Sequence, residues 1–184
     1  MVVKNFLHTW NKNNKCDRIM SVNNEIKYDF DNKPLSEILL SELKYLRQRA
    51  GIRVSLVLSQ SGKILSIHED AAYVPNELRY GPRNQHIDKE YLAKWIISSS
   101  RTIEFVSERI FKNGIKFIIL EGNDKETAMI VNVRDNNNGV SFILMGLLSK
   151  KGSIGLGYQE IKESSERIKD ILIKYKNYQT QNLF

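Results

Sequence analysis

The sequence predicts an α+β domain in which a helix, two strands, a long helix, three strands and a final helix follow one another. Three observations support this order. Leucines recur at helical spacing after Pro34, two β-rich runs are joined by a glycine turn, and the run from Val140 to Leu148 is apolar on both faces. A strand that is apolar on both faces belongs in the interior of a sheet.

The first half of the domain is predicted to be a helix followed by a β-hairpin. Pro34 suits the first position of a helix, and Gly51 suits its left-handed C-terminal cap. Two β-rich runs, 53–59 and 63–68, are separated by residues 60–62, which have the chemistry of a tight turn. We therefore expect the first two strands to pair antiparallel.

The second half begins after a predicted loop, 69–87, whose two prolines and one glycine exclude a continuous helix or central strand. Asp88 suits the N-cap of a long helix that runs to about Lys112. Strands are predicted at 115–121, 127–134 and 140–148, followed by an amphipathic helix. The predicted packing seam of the long helix consists of Leu92, Ile96, Ser99, Ile103, Val106 and Ile110.

The chain divides into three regions. Residues 1–33 are too polar to form their own core and are predicted to be a partly flexible extension, although Trp10, Tyr28 and Phe30 indicate that part of it docks on its own domain or on a partner. Residues 34–176 form the predicted domain. Residues 177–184 are predicted to be a frayed tail.

The composition limits the class of protein. A chain of 184 residues supports one domain of ordinary size. The single cysteine, Cys16, cannot form an intramolecular disulfide, which fits a reducing compartment. No stretch approaches the roughly 18 uncharged apolar residues of a membrane span. We therefore expect a cytoplasmic protein without membrane insertion.

The net charge of +7 raises nucleic acid as a partner, but the charge is spread along the chain. Segments 1–33, 34–110, 111–150 and 151–184 carry +2, +2, +1 and +2, which add up to +7. A dedicated nucleic-acid surface concentrates basic residues in a patch, often with aromatic side chains for stacking. We therefore expect no specific nucleic-acid partner, and a polyanion or anionic membrane surface is kept as the less favoured alternative.

The motifs that could bind a phosphate or a metal are better explained as structural elements. The glycines at 152, 155 and 157 precede a helix but lack the Walker lysine and the dinucleotide-binding order, so a structural turn is favoured over a phosphate site. Residues 135–139 resemble a calcium loop without its final glutamate, so a β-turn is expected. His8, His68 and His86 lack metal-ligand spacing. No enzyme activity, metal or cofactor is therefore predicted.

Several of these pieces together resemble the Roadblock/dynein light chain family. They are the leucine-rich helix that ends at Arg49-Ala-Gly-Ile, the strand and turn at 56–65, the long second helix, and the Gly155-Leu-Gly157 start of the last helix. The resemblance implies a five-stranded antiparallel sheet in the order 2-1-5-4-3, a Roadblock/profilin-like sandwich with a long helix and two flanking helices. The extension before Pro34 and the loop 69–87 depart from the family pattern.

The resemblance also implies a two-fold dimer in which the third strand and the long helix meet their counterparts. Residues 115–120 form an apolar edge, which a soluble monomer normally avoids. Small serines at 98–100 would let two helices approach closely. The predicted dimer residues are Trp95, Ile96, Ser99, Ile103, Val106, Phe117, Ile118 and Ile119.

The implied function is that of a non-enzymatic dimeric scaffold that binds and regulates a Ras-like small GTPase. Its other partner is a second copy of the chain or a paralogous Roadblock protein. Candidates for partner contact are Tyr73, Arg79, Tyr80 and Arg83, because exposed Arg and Tyr often supply interface hot spots. The same residues would equally suit a loop clamped onto its own domain. The alternative function is a structural adaptor that recruits a motor, membrane or polarity complex without GTPase contact.

Overall fold

The computed structural model describes residues 30, 33–69, 89–111, 115–122, 127–149 and 152–181. These residues form three helices and five strands. In chain order the elements are α1 (Leu35–Ala50), β1 (Ile52–Ser59), β2 (Ile64–Glu69), α2 (Lys89–Glu108), β3 (Phe117–Glu121), β4 (Thr127–Asp135), β5 (Val140–Leu148) and α3 (Ile154–Gln181).

The strands form one antiparallel sheet in the order β2-β1-β5-β4-β3. The predicted order is therefore confirmed. The strand that is apolar on both faces, β5, lies at its centre, because only a central position covers both faces and both edges. Phe142, in β5, is completely buried.

Helices cover both faces of the sheet. On one face, α1 and α3 pack against β1, β4 and β5 around Leu39, Phe142 and Ile161. On the other face, α2 packs around Ile96 and Ile143. Alternate side chains of β5 enter different cores, as the period of two in a strand requires.

The turns between neighbouring strands follow the predicted chemistry. Ser59 and Lys63 are joined by a backbone hydrogen bond of 2.9 Å, and Gly62 has φ of 90°. Between β4 and β5, the carboxylate of Asp135 accepts hydrogen bonds from the backbone and side chain of Asn138, and Gly139 has φ of 60°. Positive φ favours glycine at both positions.

Two helix boundaries differ from the sequence-based prediction. Pro34 precedes α1 in an extended conformation with ψ of 149°, and Leu35 is the first helical residue. α2 ends at Glu108, where the backbone tightens: the amide of Ile110 donates to the carbonyl of Ser107, three residues back, at 3.0 Å. Asp88 and Lys112 lie outside the described residues.

The predicted tail, 177–184, overlaps the end of α3, which continues to Gln181. Thr180 donates to the carbonyl of Lys176, and the ring of Phe30 lies 5.9 Å from the ring of Tyr175 and 6.1 Å from that of Tyr178. Apolar cover from Phe30 therefore stabilises the last turns of α3. This contact also shows that one aromatic of the 1–33 region docks on its own domain.

Candidate functional site

The long helix α2 has two apolar sides. Its inner side faces the sheet through the buried residues Ala93, Ile96, Ile97, Ser100 and Ser107. Its outer side carries large side chains that are half or more exposed, namely Trp95 at 50%, Val106 at 51% and Phe105 at 61%. A solvated helix normally presents polar residues on that side. We call Trp95, Ser99, Thr102 and Val106 the outer stripe of α2.

The structure corrects the predicted seam and one predicted dimer residue. Ile96 is 0% exposed and packs into the core of its own chain, so it is not available to a partner. Ser100, predicted to help two helices approach, is buried in the same way. Val106 and Ile110, which the seam prediction placed together with Ile96, are exposed. The reason is that the predicted seam runs along the border between the two sides of the helix, whereas sheet contact is centred on the stripe through Ala93 and Ile97.

Hydrogen bonds fix the position of α2 on the sheet. The guanidinium of Arg101 donates to the carbonyl of Gln60 in the β1–β2 turn at 3.0 Å. Arg134 at the end of β4 donates to the carboxylate of Glu104 at 2.7 Å. The side chain of Gln60 in turn donates to Asn132 at 2.8 Å. These contacts tie α2 to one end of the sheet and hold the outer stripe away from it.

The strand β3 forms one edge of the sheet and presents a second apolar surface. Ile119 is 45% exposed and Leu120 is also exposed. The neighbouring predicted residues are half-buried, because Phe117 packs edge-on against Tyr158 at 4.6 Å and Ile118 packs against the α2-side core. Of the predicted β3 residues, Ile119 is therefore the one with the largest free surface.

The remaining predicted dimer residues lie on or beside the outer stripe. Trp95 and Val106 are exposed, and Ser99 and Ile103 are half-buried. The four partner-contact candidates, Tyr73, Arg79, Tyr80 and Arg83, lie outside the described residues.

Sequence comparison and structure comparison give different results for this chain. No protein-family model and no curated protein matches the sequence. An MglB with a tetrameric arrangement superposes with a TM-score of 0.61 at 13% identity, covering 78% of this chain and 93% of the other. MglB of Myxococcus xanthus gives 0.60 at 17% identity, covering 82% and 96%. A Roadblock/LC7 domain from Streptomyces avermitilis gives 0.52 at 16%, covering 71% and 93%. This chain has the Roadblock fold.

Within this Roadblock fold the glycine-rich turn before α3 acts in packing. Gly157 is buried, and a Cβ atom there would lie 3.1 Å from Cε of Met129 and 3.4 Å from a methyl group of Leu148. The hydroxyl of Ser153 caps the helix by accepting from the amide of Leu156 at 3.4 Å. Glycine at 157 therefore lets α3 approach the sheet closely, as the structural reading of this motif predicted.

A polar seam between α1 and α3 was not predicted. Glu42 and Ser164 are buried and hydrogen-bond each other at 2.5 Å, and Arg167 donates to the same carboxylate at 2.8 Å. Farther along, Arg49 donates to the buried Glu160 at 3.0 Å. The only signal in the sequence is a glutamate at a core-facing helical position, which is easily mistaken for a solvated charge.

The described residues offer no cluster of three or more metal-binding side chains. His68 lies on β2, whereas His8 and His86 lie outside the described residues. Within the part of the chain that the structure describes, no helix is both long and apolar enough to span a bilayer.

Proposed function

We propose that the protein is a non-enzymatic dimeric scaffold that binds a Ras-like small GTPase and shifts its nucleotide cycle. The observation that carries the proposal is the Roadblock fold combined with apolar surface left uncovered on α2 and β3. The family resemblance implies both dimerisation and GTPase binding. The partner in the dimer is a second copy of this chain or a paralogous Roadblock protein.

The two apolar surfaces support a self-complementary interface. In a two-fold dimer, β3 pairs antiparallel with its counterpart, which satisfies backbone groups at the sheet edge and covers Ile119. The outer stripe of one α2 packs on that of the other. Ser99 and Thr102 are small enough for a close approach of the two helices, and Trp95 and Val106 supply the apolar contact.

Regulation in this proposal follows from binding alone. A dimer surface that fits one arrangement of the GTPase switch loops better than the other shifts the GTPase toward that arrangement. The shift equals the difference in binding free energy between the two nucleotide states. The scaffold therefore needs no catalytic group of its own.

Two measurements test the proposal. Sedimentation of the full-length protein should give a mass near twice 21.4 kDa at micromolar concentration. Titration with each Ras-like GTPase of the same genome, loaded with GDP or a non-hydrolysable GTP analogue, should show one partner whose affinity differs between the two states. A protein that binds none of them in either state is not a GTPase scaffold.

The second candidate function is an adaptor without GTPase contact. The observation in its favour is the docking of Phe30 on Tyr175 and Tyr178, which anchors the preceding polar extension to the domain. Such an extension would carry the specificity for a motor, membrane or polarity complex. Deleting residues 1–29 separates the candidates, because an adaptor loses its partner whereas a GTPase scaffold keeps nucleotide-dependent binding.

A further inference from the structure

The four residues of the outer stripe of α2 are arranged symmetrically along the helix. Ser99 follows Trp95 by four residues. Thr102 comes three residues later, and Val106 comes four residues after Thr102. This spacing reads the same from both ends, with a large side chain at each end and two small ones in the middle. The two large side chains are also equally exposed, Trp95 at 50% and Val106 at 51%. Such a stripe is complementary to a second copy of itself that runs in the opposite direction.

The outer stripe lies on the β3 side of α2. On the other side of the helix, the guanidinium of Arg101 donates to the carbonyl of Gln60 in the β1–β2 turn at 3.0 Å. Positions two residues apart differ by about 200° around an α-helix, so Ser99 points away from that turn. β2 and β3 are the two opposite edges of the sheet. The stripe is therefore turned toward the edge at which Ile119 is 45% exposed.

No charged side chain interrupts the stripe. The charged residues between Trp95 and Val106 are Arg101 and Glu104. Arg101 binds the β1–β2 turn, and the carboxylate of Glu104 is paired with Arg134 of the same chain at 2.7 Å. Two copies that meet along the stripe therefore bring no like charges face to face, which would oppose self-association.

We propose that the outer stripe of α2 binds a second copy of this chain, with the two helices antiparallel and Trp95 packed against the partner's Val106. The inference rests on the dimer of the proposed function and specifies its partner and its register. A two-fold axis then crosses α2 midway between Ser99 and Thr102. The small residues let the helix backbones approach at the axis, and a Trp95–Val106 contact covers each end. A paralogous partner would require no symmetry in this stripe.

Disulfide formation between two singly substituted proteins tests the register. Trp95→Cys and Val106→Cys are prepared as separate full-length proteins in a Cys16→Ser background, which removes the only cysteine of the sequence. Neither protein should cross-link alone, because the two copies of one position lie about 16 Å apart along the antiparallel helices, whereas a disulfide requires Cα atoms about 4–7 Å apart. After subunit exchange and mild oxidation, the mixture should give a covalent dimer. That mixed dimer keeps one of its two Trp95–Val106 contacts intact.

A matched control uses Lys94→Cys and Phe105→Cys. These positions are also exposed and also eleven residues apart, but they lie on another side of α2. Their mixture should give no covalent dimer above the background of either protein alone. Equal cross-linking of the two mixtures would indicate random collision, and cross-linking of Trp95→Cys with itself would indicate parallel helices. Either result overturns the proposed register.

A larger side chain at the axis gives a second measurement. Ser99→Trp should raise the Kd of the dimer at least about tenfold, because Ser99 meets the small Thr102 of the partner subunit in a close contact. Ser98→Trp places the same side chain on the exposed surface beside the stripe and should change the Kd by no more than about twofold. Circular dichroism checks that both variants are folded. Equal Kd values for the two variants would overturn the proposal.

The two proposals fail in distinguishable ways. A wild-type chain that sediments as a monomer but binds a GTPase together with a paralogous chain overturns the self-pairing and leaves the scaffold function standing. A wild-type dimer whose Trp95→Cys and Val106→Cys variants do not cross-link in the mixture overturns the register. Cross-linking as expected in a protein that binds no GTPase supports the self-pairing and removes the proposed regulation.

Discussion

Glu160 of α3, with 3% of its side chain exposed, accepts a hydrogen bond of 3.0 Å from Arg49 of α1, which is half exposed. The guanidinium of Arg49 also donates to the hydroxyl of Tyr45 at 2.7 Å. The charge of Glu160 is the main reason that the pKa of Arg49 is raised. The second carboxylate oxygen of Glu160 has no partner among the described residues, so this buried carboxylate depends on one cation from the neighbouring helix.

This dependence predicts a strong coupling between the two residues. Arg49→Ala should destabilise the protein because it leaves the buried Glu160 carboxylate without its cation. The same substitution should cost much less in a Glu160→Gln background, since a neutral amide does not need the charge. Urea unfolding of the two single variants and the double variant measures the difference. An equal loss of unfolding free energy on Arg49→Ala in both backgrounds would show that the two residues are not energetically coupled.

A second prediction concerns acid. Hydrogen bonds from Asn138 lower the pKa of Asp135 below its ordinary value of 3.8. A carboxyl group with a lowered folded pKa contributes stability above its ordinary pKa, and this contribution is lost as the pH falls through the folded value. Asn138→Ala should therefore be less stable than wild type at neutral pH, and the gap should close as the pH falls below about 3.8. Thermal melts across this range test it, and a gap that stays constant would contradict the assignment.

A third prediction uses two glycines in different surroundings. A Cβ atom at Gly146 in β5 would lie 2.6 Å from a methyl group of Ile161, so Gly146→Ala forces a shift and should cost about 1–3 kcal/mol. Gly155, in the exposed first turn of α3, has nothing nearer than 3.9 Å. Gly155→Ala should therefore stabilise the protein, by up to about 1 kcal/mol, through reduced entropy of the unfolded chain. Chemical denaturation gives both values, and a neutral Gly146→Ala would mean that α3 moves easily away from β5.

The regular parts of the fold could be predicted because local signals and burial agree. Regular leucine spacing marks α1, the glycine at 62 marks the hairpin, and β5 has a sequence that only a central strand accommodates. The ends of the helices were harder to predict. Near the end of α3, Tyr175 and Tyr178 pack against Phe30, a residue far away in the sequence, and no local pattern in α3 reports that contact.

The candidate surfaces could be predicted only in part. The outer side of α2 is visible in the sequence as a second apolar stripe, but the sequence does not show which stripe faces the sheet. Ile96 was therefore placed on the wrong side. The α1–α3 seam was missed because it joins side chains that are neighbours only after folding, such as Glu42 with Ser164.

The last prediction uses α2, whose two sides should respond differently to substitution. Val106→Asp places a charge on the half-exposed outer stripe, where a partner helix would have to bury it, so the proposed dimer should dissociate while the fold remains. Ile96→Ala, on the completely buried inner side, should cost about 2–5 kcal/mol of stability without removing any group from the dimer contact. The control Gln48→Arg adds a charge at an exposed position of α1 and should change neither the oligomeric state nor the stability.

Sedimentation and circular dichroism of the three variants distinguish these outcomes. Val106→Asp should sediment near 21.4 kDa with an unchanged helix signal, and the wild-type melting temperature should rise with protein concentration, as mass action requires for a dimer. Ile119→Lys on the edge strand should have the same effect as Val106→Asp, because both surfaces belong to one two-fold contact. A dimer that survives both substitutions must use another surface, and the pairing of α2 and β3 with their counterparts would then be wrong.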